Sequence, residues 1–85
     1  GFFMTISVAE AFGAALKAAR KKKGLSQEKL AFQSNLDRTY ISLLERGKRQ
    51  PSLSSILEIS KCLDIPAHEL IRITTDVMSD KNIDN

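Results

Sequence analysis

Apolar and polar positions along this chain recur with the period of a helix. From Val8 to about Lys23 the residues Phe12, Ala15, Leu16 and Ala19 fall three or four apart, the spacing that gathers them on one face of an α-helix. Ser7 followed by Glu10 has the S-x-x-E form of a capping box, and "RKKK" before Gly24 puts cations and a glycine where a helix ends. A second helix is expected from the cap Ser26 to about Ser34, with Leu30 and Ala31 buried. Asn35 then makes the corner, because Asn enters the left-handed region more readily than other non-glycine residues. Asp37 caps a third helix that runs to about Arg46 and stops at Gly47. Ser52 caps a fourth through Leu63, and Pro66 opens a short fifth carrying Leu70, Ile71 and Ile73. Beyond Thr75, "DVMSDKNIDN" reads as a polar, frayed tail. No segment alternates as half-buried strands do. The expected fold is all-α: a compact bundle of about five short helices, with an N-terminal extension over 1–7, one domain over 8–73 and a polar tail over 74–85.

Two short helices joined by about three residues must cross steeply, and Ala31 fits the crossing because a larger side chain would push them apart. Leu30, Leu36, Ile41 and Leu44 supply the apolar contacts. Leu, Ala, corner, Leu, Ile and Leu over residues 30 to 44 form the helix-turn-helix signature, whose second helix enters the DNA major groove. The helical wheel agrees. At about 100° per residue, with Ile41 at zero, Leu44 falls near 300° and Glu45 near 40°, towards the core. Thr39, Ser42, Leu43 and Arg46 occupy an outward stripe between about 100° and 200°, flanked by Arg38 and Tyr40 near the helix start. A solvent-facing stripe ordinarily carries Glu or Lys; this one has no acidic residue, and Leu43 can pack against thymine methyl groups in the groove. The bland alternative is an ordinary exposed leucine.

With "GLSQEKLAFQSNLDRTYISLLERGKRQPSLSSILEISKCL" and Arg20 in place, the chain resembles the Cro and lambda-repressor type of helix-turn-helix domain, the XRE family, over roughly residues 8 to 72. Within that family, "SNLDRTYISLLER" is most similar to controller proteins of restriction-modification systems. The resemblance implies base readout by Arg38, Thr39, Ser42 and Leu43. Arg38 would donate two hydrogen bonds to guanine O6 and N7; otherwise it is a solvated cation. Gln27, Tyr40, Arg46, Lys48, Arg49 and Gln50 would meet the DNA backbone, giving affinity and salt dependence but no sequence choice. Tyr40 keeps the alternative of a half-buried packing aromatic. Arg20 and Glu45 would form a structural salt bridge joining the first helix to the recognition helix. Two departures stand out: Asn35 replaces the usual corner glycine, and Pro66 replaces a Ser or Thr at the fifth helix start.

Composition narrows the picture further. A chain of 85 residues, 42% hydrophobic and 27% charged, has room for one soluble domain with a modest core, which suggests reliance on a partner. The net charge of +3 is uneven: residues 76 to 85 carry −2, leaving +5 on the rest, which favours a polyanionic partner. "GFFMTISV" lacks the form of a signal peptide and no apolar run is long enough for a membrane span, so a cytoplasmic protein without membrane association is expected, with Met4 a candidate natural start. A single Cys62 and a single His68 make a structural zinc site implausible, and neither a metal nor another cofactor is expected. Glu58, Asp64 and Glu69 show no acid-base arrangement, so the chain is not expected to be an enzyme.

One recognition helix reads too few base pairs to define an address, so a homodimer on a near-palindromic double-stranded operator is expected. Leu70, Ile71, Ile73, Val77 and Met78 are the candidate dimer surface, with packing onto their own core as the alternative. The main reading is a transcriptional regulator, acting as repressor or activator by occupancy. The alternative of another class is an antitoxin that binds a protein partner through its tail or fifth helix.

Overall fold

A computed structural model of the chain describes residues 6–82. It contains α1 (Val8–Lys23), α2 (Gln27–Ser34), α3 (Arg38–Glu45), α4 (Leu53–Cys62) and α5 (Ala67–Asn82). Among the described residues there is no strand. The expected caps are in place. Ser7 and Glu10 exchange both bonds of the capping box at 3.0 Å, Ser26 accepts from the Lys29 N–H, Asp37 from the Thr39 N–H and Ser52 from the Ser55 N–H. Each satisfies an N–H group that a helix start leaves without a partner.

The first four helices all stop the same way. Gly24, Asn35, Gly47 and Asp64 sit in the left-handed region, with φ of 80°, 57°, 69° and 58°. In each case the next N–H turns back to a carbonyl five residues earlier: Leu25 to Arg20, Leu36 to Ala31, Lys48 to Leu43 and Ile65 to Ser60. These closures bind carbonyls that would otherwise be orphaned. Asn35 thus does the work of the family's usual corner glycine. Asp64 was not foreseen as a left-handed stop, although Asp is among the few residues that tolerate the conformation.

One core joins all five helices: Phe12, Ala15 and Leu16 from α1, Leu30 and Ala31 from α2, Ile41 and Leu44 from α3, Ile59 and Leu63 around the end of α4, and Leu70 from α5. α1 lies against both α5 and α3, while α2 packs on α3 and α4. The buried hydroxyls of Ser34 and Thr74 donate to the carbonyls of Leu30 and Leu70, so neither leaves a polar atom unsatisfied in the apolar interior.

Two expectations need correction. α5 does not fray after Thr75; it continues to Asn82. Val77 and Met78 are half-buried on it, and Arg72 bonds Glu69 and Asp76 one turn either side, which supports a helix of polar composition. Leu70 is fully buried in the chain's own core and cannot lie on a dimer surface. Of the extension over 1–7 only Ile6 and Ser7 fall within the described residues, and 83–85 lie outside them, as does Met4.

Candidate nucleic-acid interface

The back of α3 is fixed by burial and by an ion pair. Ile41 and Leu44 are fully buried. Glu45, the last residue of α3, has a side chain only 3% exposed and accepts three hydrogen bonds. Arg20 Nε donates to its Oε2 at 2.6 Å, while Arg20 Nη2 and Gln27 Nε2 both donate to Oε1 at 3.0 Å. The remaining guanidinium nitrogen, Nη1, donates to the Leu25 carbonyl at 2.8 Å. The Glu45 carboxylate raises the Arg20 pKa above its already high ordinary value, more than burial lowers it. The salt bridge foreseen between Arg20 and Glu45 is therefore present, bidentate and buried.

Gly13 completes this anchorage and was missed in the sequence. A Cβ built there would collide with the Leu44 carbonyl oxygen and stand 2.7 Å from that of Glu45, so α1 touches the end of α3 backbone to backbone. A glycine in the middle of a helix costs about 1 kcal/mol relative to alanine, and that cost was the available signal of a packing requirement.

The front of α3 presents the expected stripe. Arg38 and Thr39 are exposed at its start, Ser42 and Leu43 are half-buried, and Arg46 is exposed just past its end. Arg46 Nε lies 3.3 Å from Ser42 Oγ, so these two neighbours are already oriented together. Lys48, Arg49 and Gln50 follow on an exposed loop continuous with the stripe. None of Arg38, Arg46, Lys48 and Arg49 forms an ion pair among the described residues.

Tyr40 turns away from this surface at its tip. It is half-buried, and its hydroxyl donates to Ser55 Oγ at 3.0 Å while lying 3.5 Å from the Ser52 N–H, at the start of α4. The Arg49 guanidinium stands 5.5 Å from the ring centroid, within cation–π range. The ring therefore joins the recognition helix, the basic loop and α4. Gln27 is half-buried at the start of α2, with its amide nitrogen already bonded to Glu45.

Ile71 is 42% exposed, while Ile73, Val77 and Met78 are half-buried. Sequence reasoning overlooked Leu53 and Leu57, 72% and 51% exposed on α4. Their separation of four residues was the signal that both share a face. A cleft of about 350 Å³ beside the end of α1, lined by Ala18, Ala19, Leu63, Ile65 and Ile73 with Lys22, Lys23 and Glu69, contains none of the candidate DNA-facing residues. Among the described residues no group of three or more His, Cys, Asp or Glu is placed to hold a metal, and no helix is long and apolar enough to cross a membrane.

Comparison with known proteins adds to this geometry. A family profile described as "Helix-turn-helix" matches residues 16–70. The chain is 45% identical over 73 residues to the control protein C.BamHI of Bacillus amyloliquefaciens, covering 85% of this chain and 90% of that protein. Among solved structures it resembles the restriction-modification controller protein C.AhdI from Aeromonas hydrophila, with a TM-score of 0.71 and 50% identity over 73% of this chain and 94% of that one. It also resembles the controller protein C.Esp1396I, solved as a tetramer in complex with its natural 35 base-pair operator. That likeness has a TM-score of 0.77 and 33% identity, covering 86% of this chain and 96% of that one.

Proposed function

The chain belongs to the XRE-type helix-turn-helix family, together with restriction-modification control proteins, and from that premise we propose that it is a transcriptional regulator binding a near-palindromic operator as a homodimer. The observation that carries this reading is the asymmetry of α3. Its back is locked by Ile41, Leu44 and the Arg20–Glu45 pair, and its front offers Arg38, Thr39, Ser42 and Leu43 without a single acidic side chain. A helix held this way is pre-organised to enter the major groove. Arg38 reads guanine by two hydrogen bonds, Leu43 meets thymine methyl groups, and Thr39 and Ser42 contribute single polar contacts.

Arg46, Lys48, Arg49 and Gln50 run along the phosphates, with Arg49 steadied by the Tyr40 ring. Gln27 faces the backbone from the start of α2, where free N–H groups favour an anion. Two copies related by a two-fold axis place recognition helices about 34–36 Å apart, one turn of DNA. Ile71, Ile73, Val77 and Met78 of α5 supply the apolar surface for that pairing. C.Esp1396I, which binds a 35 base-pair operator as a tetramer, supports an operator long enough for more than one pair of half-sites. The protein acts by occupancy, blocking or recruiting polymerase according to where its site lies.

The test is selection of bound duplexes from random DNA with the purified full chain, followed by sedimentation of the protein on the winning site. Two-fold symmetric sites bound by an even number of chains are expected. Enrichment of no sequence at moderate salt overturns the reading.

A further inference from the structure

The cleft between the end of α1 and the start of α5 belongs to no part of the DNA-facing surface, and its lining and its charges differ in chemistry. Buried Leu63 and half-buried Ala19, Ile65 and Ile73 line it together with Ala18. Two alanines on the α1 side leave room that larger side chains would fill. At about 350 Å³ the cleft falls within the size range of small-molecule sites, which are concave and mostly apolar with a few polar groups.

The charged side chains at the cleft are Lys22, Lys23 and Glu69. Both carboxylate oxygens of Glu69 are engaged, Oε1 by Arg72 Nε at 3.0 Å and Oε2 by Arg72 Nη2 at 2.6 Å. Lys23 donates to Asp64. Lys22 forms no ion pair among the described residues and acts on Glu69 only through space. An apolar lining with one uncommitted cation complements a molecule that has an apolar body and a single anionic head.

We propose that this cleft is an effector site for a small amphipathic carboxylate, and that an occupied cleft opposes the pairing of two chains. The second half rests on the dimeric regulator reading above. Ile73 lines the cleft and also belongs to the apolar surface assigned to pairing, so ligand and partner chain compete for one side chain. A ligand that binds the single chain better than the pair shifts the equilibrium towards single chains, and pairing weakens the ligand by the same factor. A chain released from its partner keeps one recognition helix and loses its hold on an operator with two half-sites.

Decanoate, octanoate and 1-octanol are titrated into the full chain, and binding is followed by the NMR shifts of the Leu63, Ile65 and Ile73 methyl groups. Saturable binding of one decanoate per chain is expected, with octanoate roughly tenfold weaker because two methylenes fewer are buried. Lys22→Gln, at an exposed position, should weaken octanoate roughly fivefold, the worth of one exposed ion pair, and leave 1-octanol unchanged. Ala18→Phe fills the cleft and should abolish binding of all three while circular dichroism shows wild-type helicity. Sedimentation in saturating decanoate should show a weaker dimer, and the apparent decanoate affinity should fall as protein concentration rises.

Absence of decanoate binding, equal binding by wild type and both variants, or a dimer indifferent to decanoate overturns the proposal. Loss of pairing in Ala18→Phe, with no decanoate bound by wild type, gives the cleft to a second copy of the chain and overturns it too. A wild type that stays monomeric at every concentration sinks the dimeric reading, and the competition with it. The effector site is then decided by the decanoate titration and its response to Lys22→Gln.

Discussion

Two sets of cations in this protein are placed in opposite ways. On α5, Arg72 is held by Glu69 and Asp76 of the same helix, and Lys23 at the end of α1 is held by Asp64. Around α3, Arg38, Arg46, Lys48 and Arg49 have no such partners among the described residues. Lys48 acts on the Glu10 carboxylate only through space, and that carboxylate is committed to the Ser7 N–H. A cation paired with a carboxylate of its own chain must break that pair to meet a phosphate, whereas one without an acidic partner chiefly releases solvent and counterions. Formal net charge therefore says less about nucleic-acid binding than where the acidic residues have been placed.

The contrast can be broken most severely at the anchorage of α3. Removing Glu45 leaves the Arg20 guanidinium buried without its partner, and Glu45→Ala is expected to cost about 3–5 kcal/mol of stability in urea unfolding. Gly13→Ala drives a methyl into two backbone carbonyls that cannot swing aside. Overpacking of that kind costs about 1–3 kcal/mol, and the close approach places it at the upper end, above the ~1 kcal/mol that alanine ordinarily gains in a helix interior. A lowered thermal midpoint for Gly13→Ala is the expected outcome, and a raised one would show that α1 can back away from α3.

Substitutions in the free group of cations should spare the fold and change binding. Arg38→Ala is expected to lose about 1–3 kcal/mol of discrimination at one position of each half-site while keeping wild-type helicity. Lys48→Ala should weaken all duplexes similarly and reduce the salt slope by about one. The smallest effect belongs to the paired group: Arg72→Ala should leave DNA affinity nearly unchanged. Arg72 holds the Glu69 carboxyl below its ordinary pKa, as Lys23 does for Asp64. A depressed carboxylate supports the fold above its unfolded pKa and loses that support as pH falls through its folded pKa. The slight destabilisation of Arg72→Ala should thus be present at neutral pH and vanish in acid.

The parts of this fold that were legible in the sequence are those in which one residue type has one local job. Ser7, Ser26, Asp37 and Ser52 cap, Gly24 and Gly47 stop, and Ile41 and Leu44 face inward by helical period alone. What escaped depends on partners distant in sequence. Gly13 looks like a defect until the end of α3 is laid against it. The Tyr40 hydroxyl cannot be assigned to Ser55 until α4 is in place, nor the Gln27 amide to Glu45 until α2 and α3 have crossed. Leu70 and Ile71 are neighbours with identical hydropathy class, yet one is fully buried and the other 42% exposed. Only the packing of α5 on α1 distinguishes them.

Guanine N7 lies in the major groove and takes part in the contact expected from Arg38, so methylating it tests the docking directly. Dimethyl sulfate modification of the selected operator before binding should identify one guanine in each half-site whose N7 methyl group blocks the wild-type protein, while Arg38→Ala becomes indifferent to it. Binding that ignores N7 methylation throughout the site, or is blocked only by methyl groups at minor-groove adenine N3, would contradict the placement of α3 in the major groove.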